Sequence, residues 1–173
     1  MITLRPIQIH TPEYDLFIKI CGESFPAFER DEPQRFFVTP RNFRNDTCGI
    51  FRAEQMVGYL MAWHGQEVSY ILEFAVAAEW RGQGIGGKTL QLIKERCAPR
   101  CVTLCCEKPD PDADNAVQRQ RRYEMYCRNG FLNTGSNIRM YGIDFVVMSS
   151  TLELPEAELA LMHSELGRVF PTR

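Results

Sequence analysis

The sequence predicts one α/β (α+β) domain: a mixed, largely antiparallel sheet of six to seven strands flanked by helices, with an additional C-terminal helix. Three observations carry this expectation. Short apolar runs that read as strands follow one another directly over residues 48–53, 56–64 and 68–76, joined by turns too short for crossovers. The apolar period then changes to helical spacing after a glycine cluster at residues 82–87, and strand and helix patterns succeed each other to residue 149. At 173 residues, 45% hydrophobic and 24% charged, the chain can bury a core without a metal or disulfide staple.

Residues 2–6 alternate like an edge strand, and residues 12–25 carry Leu16, Phe17, Ile20 and Phe25 near helical spacing. Residues 28–43 are irregular, proline-bearing and aromatic, which predicts a short helix and loops of the kind that border a site. The three strands read as an antiparallel meander, and a helix runs from Gly84 through Ile85, Leu90, Leu92, Ile93 and Cys97, with Pro99 marking its end. A strand at 101–106, a helix at 116–129 closed by Gly130, and a strand pair at 131–134 and 141–149 complete the domain. Residues 155–170 add a helix whose stripe of Leu159, Met162, Leu166 and Val169 packs on the parent domain or docks a partner. The expected division is a domain at 1–150 and a helical extension at 151–173 packed on it.

Twenty basic against twenty-two acidic residues give a net charge of −2, too little field for nucleic acid or an anionic membrane. A small-molecule or peptide partner is expected, with the protein a monomer or homodimer. The first residues lack an apolar signal core, and no stretch approaches the ~18 apolar residues that span a bilayer, so a cytoplasmic protein is expected. Seven cysteines without a C-x-x-C pair read as reduced thiols, and the spacing of Cys97, Cys101 and Cys105 across a helix end does not converge on a zinc tetrahedron. Asp110-Pro111-Asp112-Ala113-Asp114 imitates the opening of a calcium loop, but Asn115 and Arg121 stand where its glycine and closing glutamate belong. It reads as a solvated acidic loop, and no metal is expected.

Residues 81–89, Arg-Gly-Gln-Gly-Ile-Gly-Gly-Lys-Thr, satisfy three phosphate-binding patterns. Gly82, Gly87, Lys88 and Thr89 spell a P-loop; Gly82, Gly84 and Gly87 spell a dinucleotide fingerprint. Arg81-Gly82-Gln83-Gly84-Ile85-Gly86 spells the pyrophosphate loop of acyl-CoA enzymes. In each, glycines let the backbone approach a ligand, and the following helix turns unpaired N–H groups toward an anion. Both nucleotide loops normally follow a first strand almost at once, whereas roughly eighty residues precede this one and Ala77-Ala78-Glu79-Trp80-Arg81 separates it from the apolar run. Glu107, about twenty residues beyond Gly87, nevertheless stands where a ribose-binding or metal-binding acid would sit.

This order of elements, with Phe74-Ala75-Val76 before the glycine loop, resembles the GNAT superfamily of N-acetyltransferases over most of the chain. The loop is similar to the family's Q/R-x-x-G-x-G/A motif, and Arg121-Arg122-Tyr123-Glu124-Met125-Tyr126-Cys127-Arg128-Asn129-Gly130-Phe131 resembles its late helix ending in tyrosine and Gly-Phe. The resemblance implies an acetyl-CoA-dependent N-acyltransferase acting on a primary amine of a small molecule or of a peptide or protein. Many family members carry an asparagine seven residues before that tyrosine to help hold the cofactor arm; Arg119 stands there in this chain. By family analogy, Phe25-Pro26-Ala27-Phe28-Glu29-Arg30 could wall the acceptor pocket, with Glu29 an alternative base.

Such a reaction needs an anion nest for pyrophosphate, an extended backbone for the pantetheine amides and groups that move protons. The cofactor-binding residues are accordingly expected to be Phe74, Ala75, Val76, Arg81, Gly82, Gln83, Gly84, Ile85, Gly86, Gly87 and Lys88. Glu73, a carboxylate interrupting an apolar strand on the face opposite Phe74, reads as the base or as half of a cross-sheet salt bridge to an arginine. Tyr126 reads as the acid for the departing thiolate or as a buried tyrosine with a satisfied hydroxyl. Arg119, Arg122 and Tyr126 share one helix face at i, i+3 and i+7, so the arginines reach a CoA phosphate or an acidic acceptor, or form a solvated basic face. Cys127 points to another face, and direct transfer in a ternary complex is expected. Two other classes compete: a noncatalytic acyl-CoA-binding or sensing module, which needs neither Glu73 nor Tyr126, and a P-loop protein with Lys88 on phosphate and Thr89 on magnesium.

Overall fold

The computed structural model describes residues 1–170, except for the side chain of Phe28. Strand β1 (Ile2–Pro6) leads to helix α1 (Pro12–Ser24), which starts where Thr11 Oγ1 accepts the Tyr14 N–H at 3.3 Å and Pro12 fixes the first turn. Two short 3-10 turns, Ala27–Glu29 and Pro33–Phe37, occupy the irregular segment. The meander is β2 (Arg44–Arg52), β3 (Gln55–His64) and β4 (Val68–Val76). After a 3-10 turn at Ala78–Trp80 come α2 (Ile85–Cys97), β5 (Cys101–Glu107) and α3 (Ala116–Arg128). The hairpin of β6 (Leu132–Met140) and β7 (Ile143–Ser149) precedes α4 (Glu156–Val169).

The seven strands form one sheet in the order β1-β2-β3-β4-β5-β7-β6. Every neighbouring pair is antiparallel except β4 and β5. Alternation along β3 sends Tyr59, Met61 and Trp63 into one core with α1 and α4, and Leu60 and Ala62 into a second core with α2 and α3. Helix α4 buries Leu159, Met162 and Val169, with Leu166 partly buried, against the first core. Phe170 reaches Phe36 and Trp63 with ring centroids 5.6 and 6.1 Å away. The Glu158 carboxylate accepts the N–H groups of Gln66, Glu67 and Val68 at 2.7–2.8 Å, tying α4 to the turn before β4. Residues 171–173, the end of the expected extension, lie outside the described residues.

Two boundaries differ from the sequence expectation. Strand β2 begins at Arg44 because Arg44 to Thr47 pair with Met61 to His64, a polar stretch whose extension depends on its neighbour. Strand β6 continues to Met140 rather than stopping at Thr134, as an edge strand whose ladder is interrupted between Asn133 and Asn137. Exposed Asn, Gly and Ser there carry no alternation signal.

Candidate active site

Strand β4 does two things that together make an opening in the sheet. Its pairing with β5 covers only Val68–Ile71 against Cys101–Leu104, after which the two parallel strands separate and β5 continues on β7 alone. Its register with β3 also jumps, from Glu73 opposite Met61 to Ile71 opposite Ala62, so Leu72 is an extra residue. Short of the bulge the register is regular, with Tyr59 opposite Ala75 and Met61 opposite Glu73, so Glu73 shares the face of Tyr59, whose hydroxyl donates to Glu73 Oε2 at 2.8 Å. Glu73 is therefore buried on the α1 side, on the face shared with Ala75, with the Tyr59 hydroxyl among its partners.

Past the bulge, the Ala77 N–H donates to the Val57 carbonyl at 2.9 Å. Backbone groups alternate along a strand, so Phe74 and Val76 turn theirs toward the opening while Ala75, opposite Tyr59, turns its own to β3. Phe74 and Val76 are thus available to an extended ligand, and the expectation of backbone binding at Ala75 is corrected. Arg81 donates from Nε to the Val76 carbonyl at 2.9 Å and from Nη2 to Ser24 Oγ at 3.1 Å. It ties the glycine loop to β4 and to the end of α1, a different role from direct contact with phosphate.

The loop caps α2 at the mouth of the opening. Gly82 and Gly84 have φ of +76° and +74°, and a Cβ on either would meet nothing within 4 Å. Both hold backbone that other residues adopt only with strain, beneath open space. The Lys88 N–H already donates to the Gly84 carbonyl at 3.2 Å, so the unpaired amides at the helix start are those of Ile85, Gly86 and Gly87. A Cβ on Gly86 would sit 3.2 Å from Met125 Sδ, and one on Gly87 3.0 Å from Asn129 Oδ1. These two glycines let α2 pack closely on α3 while still presenting N–H groups. The Gln83 side chain accepts from Arg52 Nη1 at 2.7 Å, and Lys88 is exposed.

Two nucleotide readings fail on this geometry. Thr89 Oγ1 is buried and donates to the Ile85 carbonyl at 3.0 Å, so it cannot serve as the magnesium ligand of a P-loop. Glu107, the ribose-acid candidate, is buried beneath Arg119 Nε at 3.3 Å and Arg122 Nη1 at 2.5 Å, and Asn115 Nδ2 donates to it at 3.2 Å. The same cluster corrects the solvated basic face expected of Arg119 and Arg122: both fold onto the end of β5.

Beyond the strand ends lies a cleft of about 870 Å³. Phe25, Pro26 and Glu29 form one wall, Arg119 and Arg122 another, and Gly142 of the β6–β7 turn with Asp144 at the start of β7 closes it. The acidic loop around Asp112 is its exposed rim. The Phe28 side chain lies outside the described residues. Tyr126, on α3, packs edge-on to Phe131 with ring centroids 6.0 Å apart. Burial, with Cys106 adding to it and Arg122 opposing, pushes its hydroxyl well above the usual tyrosine range. Among the described residues that hydroxyl has no hydrogen-bond partner, and it is not sealed from solvent. Glu73 and Tyr126 thus flank the opening from opposite faces of the sheet, and neither lines the outer cleft itself. Sequence reasoning missed Ser24, Tyr59 and the β6–β7 turn; a serine at a helix end and a tyrosine in an apolar strand carry no signal that sets them apart.

All seven cysteines are free, and no group of three or more His, Cys, Asp or Glu among the described residues is placed to hold a metal ion. No described helix is long and apolar enough to cross a membrane.

A mixed sheet that parts between its parallel strands, with a glycine-capped helix at the mouth, defines an acyltransferase-type architecture. Residues 8–121 match the family model described as Acetyltransferase (GNAT) family, and the chain belongs to that family. The sequence has no significant match among curated proteins. Among solved structures, it is similar to a putative GNAT-family acetyltransferase from Bacteroides thetaiotaomicron, with TM-score 0.78 and 22% identity over 99% of both chains. A GNAT acetyltransferase from Elizabethkingia anophelis with acetyl-CoA bound matches at TM-score 0.58 and 17% identity, over 86% of this chain and 96% of that one. The aminoglycoside 6'-N-acetyltransferase from Enterococcus faecium matches at TM-score 0.63 and 14% identity, over 89% and 98%. At these identities the likeness is one of fold.

Proposed function

We propose that the protein transfers an acetyl group from acetyl-CoA directly to a primary amine of a small molecule or peptide. The observation that carries this reading is the parting of β4 and β5 with the glycine loop at its mouth. Phe74 and Val76 offer strand-like pairing to the pantetheine arm, and the amides of Ile85, Gly86 and Gly87, beside Gly82 and Gly84, suit the pyrophosphate. Acetyl-CoA supplies an activated thioester. An N–H at Phe74 or Val76 would stabilise the oxyanion that forms at the carbonyl.

The amine enters from the cleft on the α1 side, where Glu73 accepts its proton directly or through a water. The nitrogen–carbonyl carbon bond forms, the carbon–sulfur bond breaks, and the departing thiolate takes a proton from Tyr126 on the other side of the opening. Tyr126 is protonated at neutral pH and so has a proton to give. Glu29, on the cleft wall, is the alternative base. The test follows free thiol with acetyl-CoA and a panel of small amines, amino acids and peptide N-termini, with the product identified by mass. Amine-dependent thiol release with a singly acetylated product is expected; tight acetyl-CoA binding without turnover on any amine would favour a sensing module.

A further inference from the structure

We propose that Tyr59 is a positioning residue for the reaction, holding Glu73 ionised and in one orientation; the inference rests on the reading of Glu73 as the base. Tyr59 is fully buried, and its hydroxyl donates to Glu73 Oε2 at 2.8 Å. Three features fix that bond. The regular register from Tyr59 opposite Ala75 to Met61 opposite Glu73 puts Glu73 on the Tyr59 face, next to the bulge at Leu72. Phe17 of α1 stands edge-on to the Tyr59 ring, with centroids 4.7 Å apart and planes at 85°. Cys21, one turn further along α1, also interacts with the same hydroxyl.

Burial first, then the charge of Glu73, raises the Tyr59 pKa well above the ordinary value, so the phenol acts as donor throughout the working pH range. A hydrogen bond to the charged form of a carboxylate favours that form. Tyr59 thereby offsets part of the desolvation that would otherwise protonate a carboxylate in an apolar sheet and leave it unable to take a proton from the amine. Among the described residues, the other titratable groups of this face include Tyr14 and Cys21 on α1, Tyr70 on β4, Cys101 and Cys105 on β5, and His163 and Glu165 on α4. His163 stands edge-on to Tyr70, whose hydroxyl meets Cys105 Sγ at 2.8 Å, so those three engage one another.

The test is the pH profile of kcat/KM for Tyr59→Phe, which keeps the ring and removes the donor. The acidic limb is expected to move up by about one pH unit and plateau kcat to fall about tenfold, with KM for acetyl-CoA unchanged. Incorporation of meta-fluorotyrosine at position 59, a stronger donor of nearly the same shape, should move the limb the other way and serves if Tyr59→Phe does not fold. Glu73→Gln separates the two layers of the argument. Full turnover in Glu73→Gln would remove the base on which the proposal depends. Lost turnover in Glu73→Gln with an unmoved limb and unchanged kcat in the Tyr59 variants would overturn the positioning role and leave Tyr59 a packing residue.

Discussion

Substitution at Gly84 separates the anion site from the packing of the loop. Gly84 adopts φ of +74° at the cap of α2, with nothing within 4 Å of a built Cβ. Gly84→Ala therefore meets no clash and costs only the left-handed conformation, about 1–2 kcal/mol, or roughly 2–8 °C in melting midpoint for a chain of this length. Gly84→Glu carries the same strain and adds a carboxylate where the first amides of α2 converge. If two charge-assisted hydrogen bonds to phosphate are lost, at about 1.5–3 kcal/mol each, the acetyl-CoA Kd rises by about 10²–10⁴. Gly86→Ala is the contrasting case: its Cβ faces Met125 Sδ at 3.2 Å and Phe74 Cζ at 3.6 Å, so it disturbs the α2–α3 contact while leaving its amide in place. Calorimetric titration with acetyl-CoA, alongside thermal melts, should give a large loss of affinity for Gly84→Glu, less than about tenfold for Gly84→Ala, and mainly a stability change for Gly86→Ala. Unaltered affinity in Gly84→Glu, or an equal loss in a well-folded Gly86→Ala, would refute the assignment of the anion nest.

Tyr126→Phe should lower turnover by about 10²–10⁴ with the acetyl-CoA Kd little changed, measured by thiol release and titration. Glu107→Gln leaves Arg119 and Arg122 without their shared carboxylate; loss of a buried pair costs about 3–5 kcal/mol, readable as a lower urea midpoint. At the far end of α2, burial tends to raise the Asp46 pKa, but hydrogen bonds from His64 and Cys48 and the charge of Arg96 lower it from 3.8 to about 2. Its contribution, about 2 kcal/mol, is present above pH 3.8 and disappears as pH falls toward 2. Asp46→Asn should therefore flatten the acid limb of the stability profile. His64 opposes burial with bonds to Asp46 and Cys97 that raise its pKa, so its own contribution is complete below 6.5 and fades as pH rises through the folded value.

The part of the site that sequence reveals best is the part governed by local rules. Positive φ at Gly82 and Gly84, the switch from strand to helix at Ile85, and the late helix bearing Tyr126 all follow from residue type and spacing. Gly86 and Gly87 read in sequence as further members of the nest, yet their missing side chains make room for Met125 and Asn129, some forty residues away. Arg119 and Arg122 present a basic stripe on a helical wheel, and only the pairing of β5 with β7 reveals that Glu107 lies beneath them. Alternation from Phe74 places Glu73 on the face it occupies, but Tyr59 lies on another strand, and only the β3–β4 register brings the two together. Strand β6 exceeds its sequence signal for a related reason: an exposed edge needs no apolar face, so its polar residues look like loop.

Thermal unfolding with acetyl-CoA, magnesium-ATP and NAD in parallel separates the three ligands with which the glycine loop alone is compatible. A ligand at 100 times its Kd adds about 2.7 kcal/mol, roughly 5–10 °C for a domain of this size. That rise is expected with acetyl-CoA and not with the other two; a rise with magnesium-ATP or NAD and none with acetyl-CoA would contradict acetyl-CoA as the ligand of the loop.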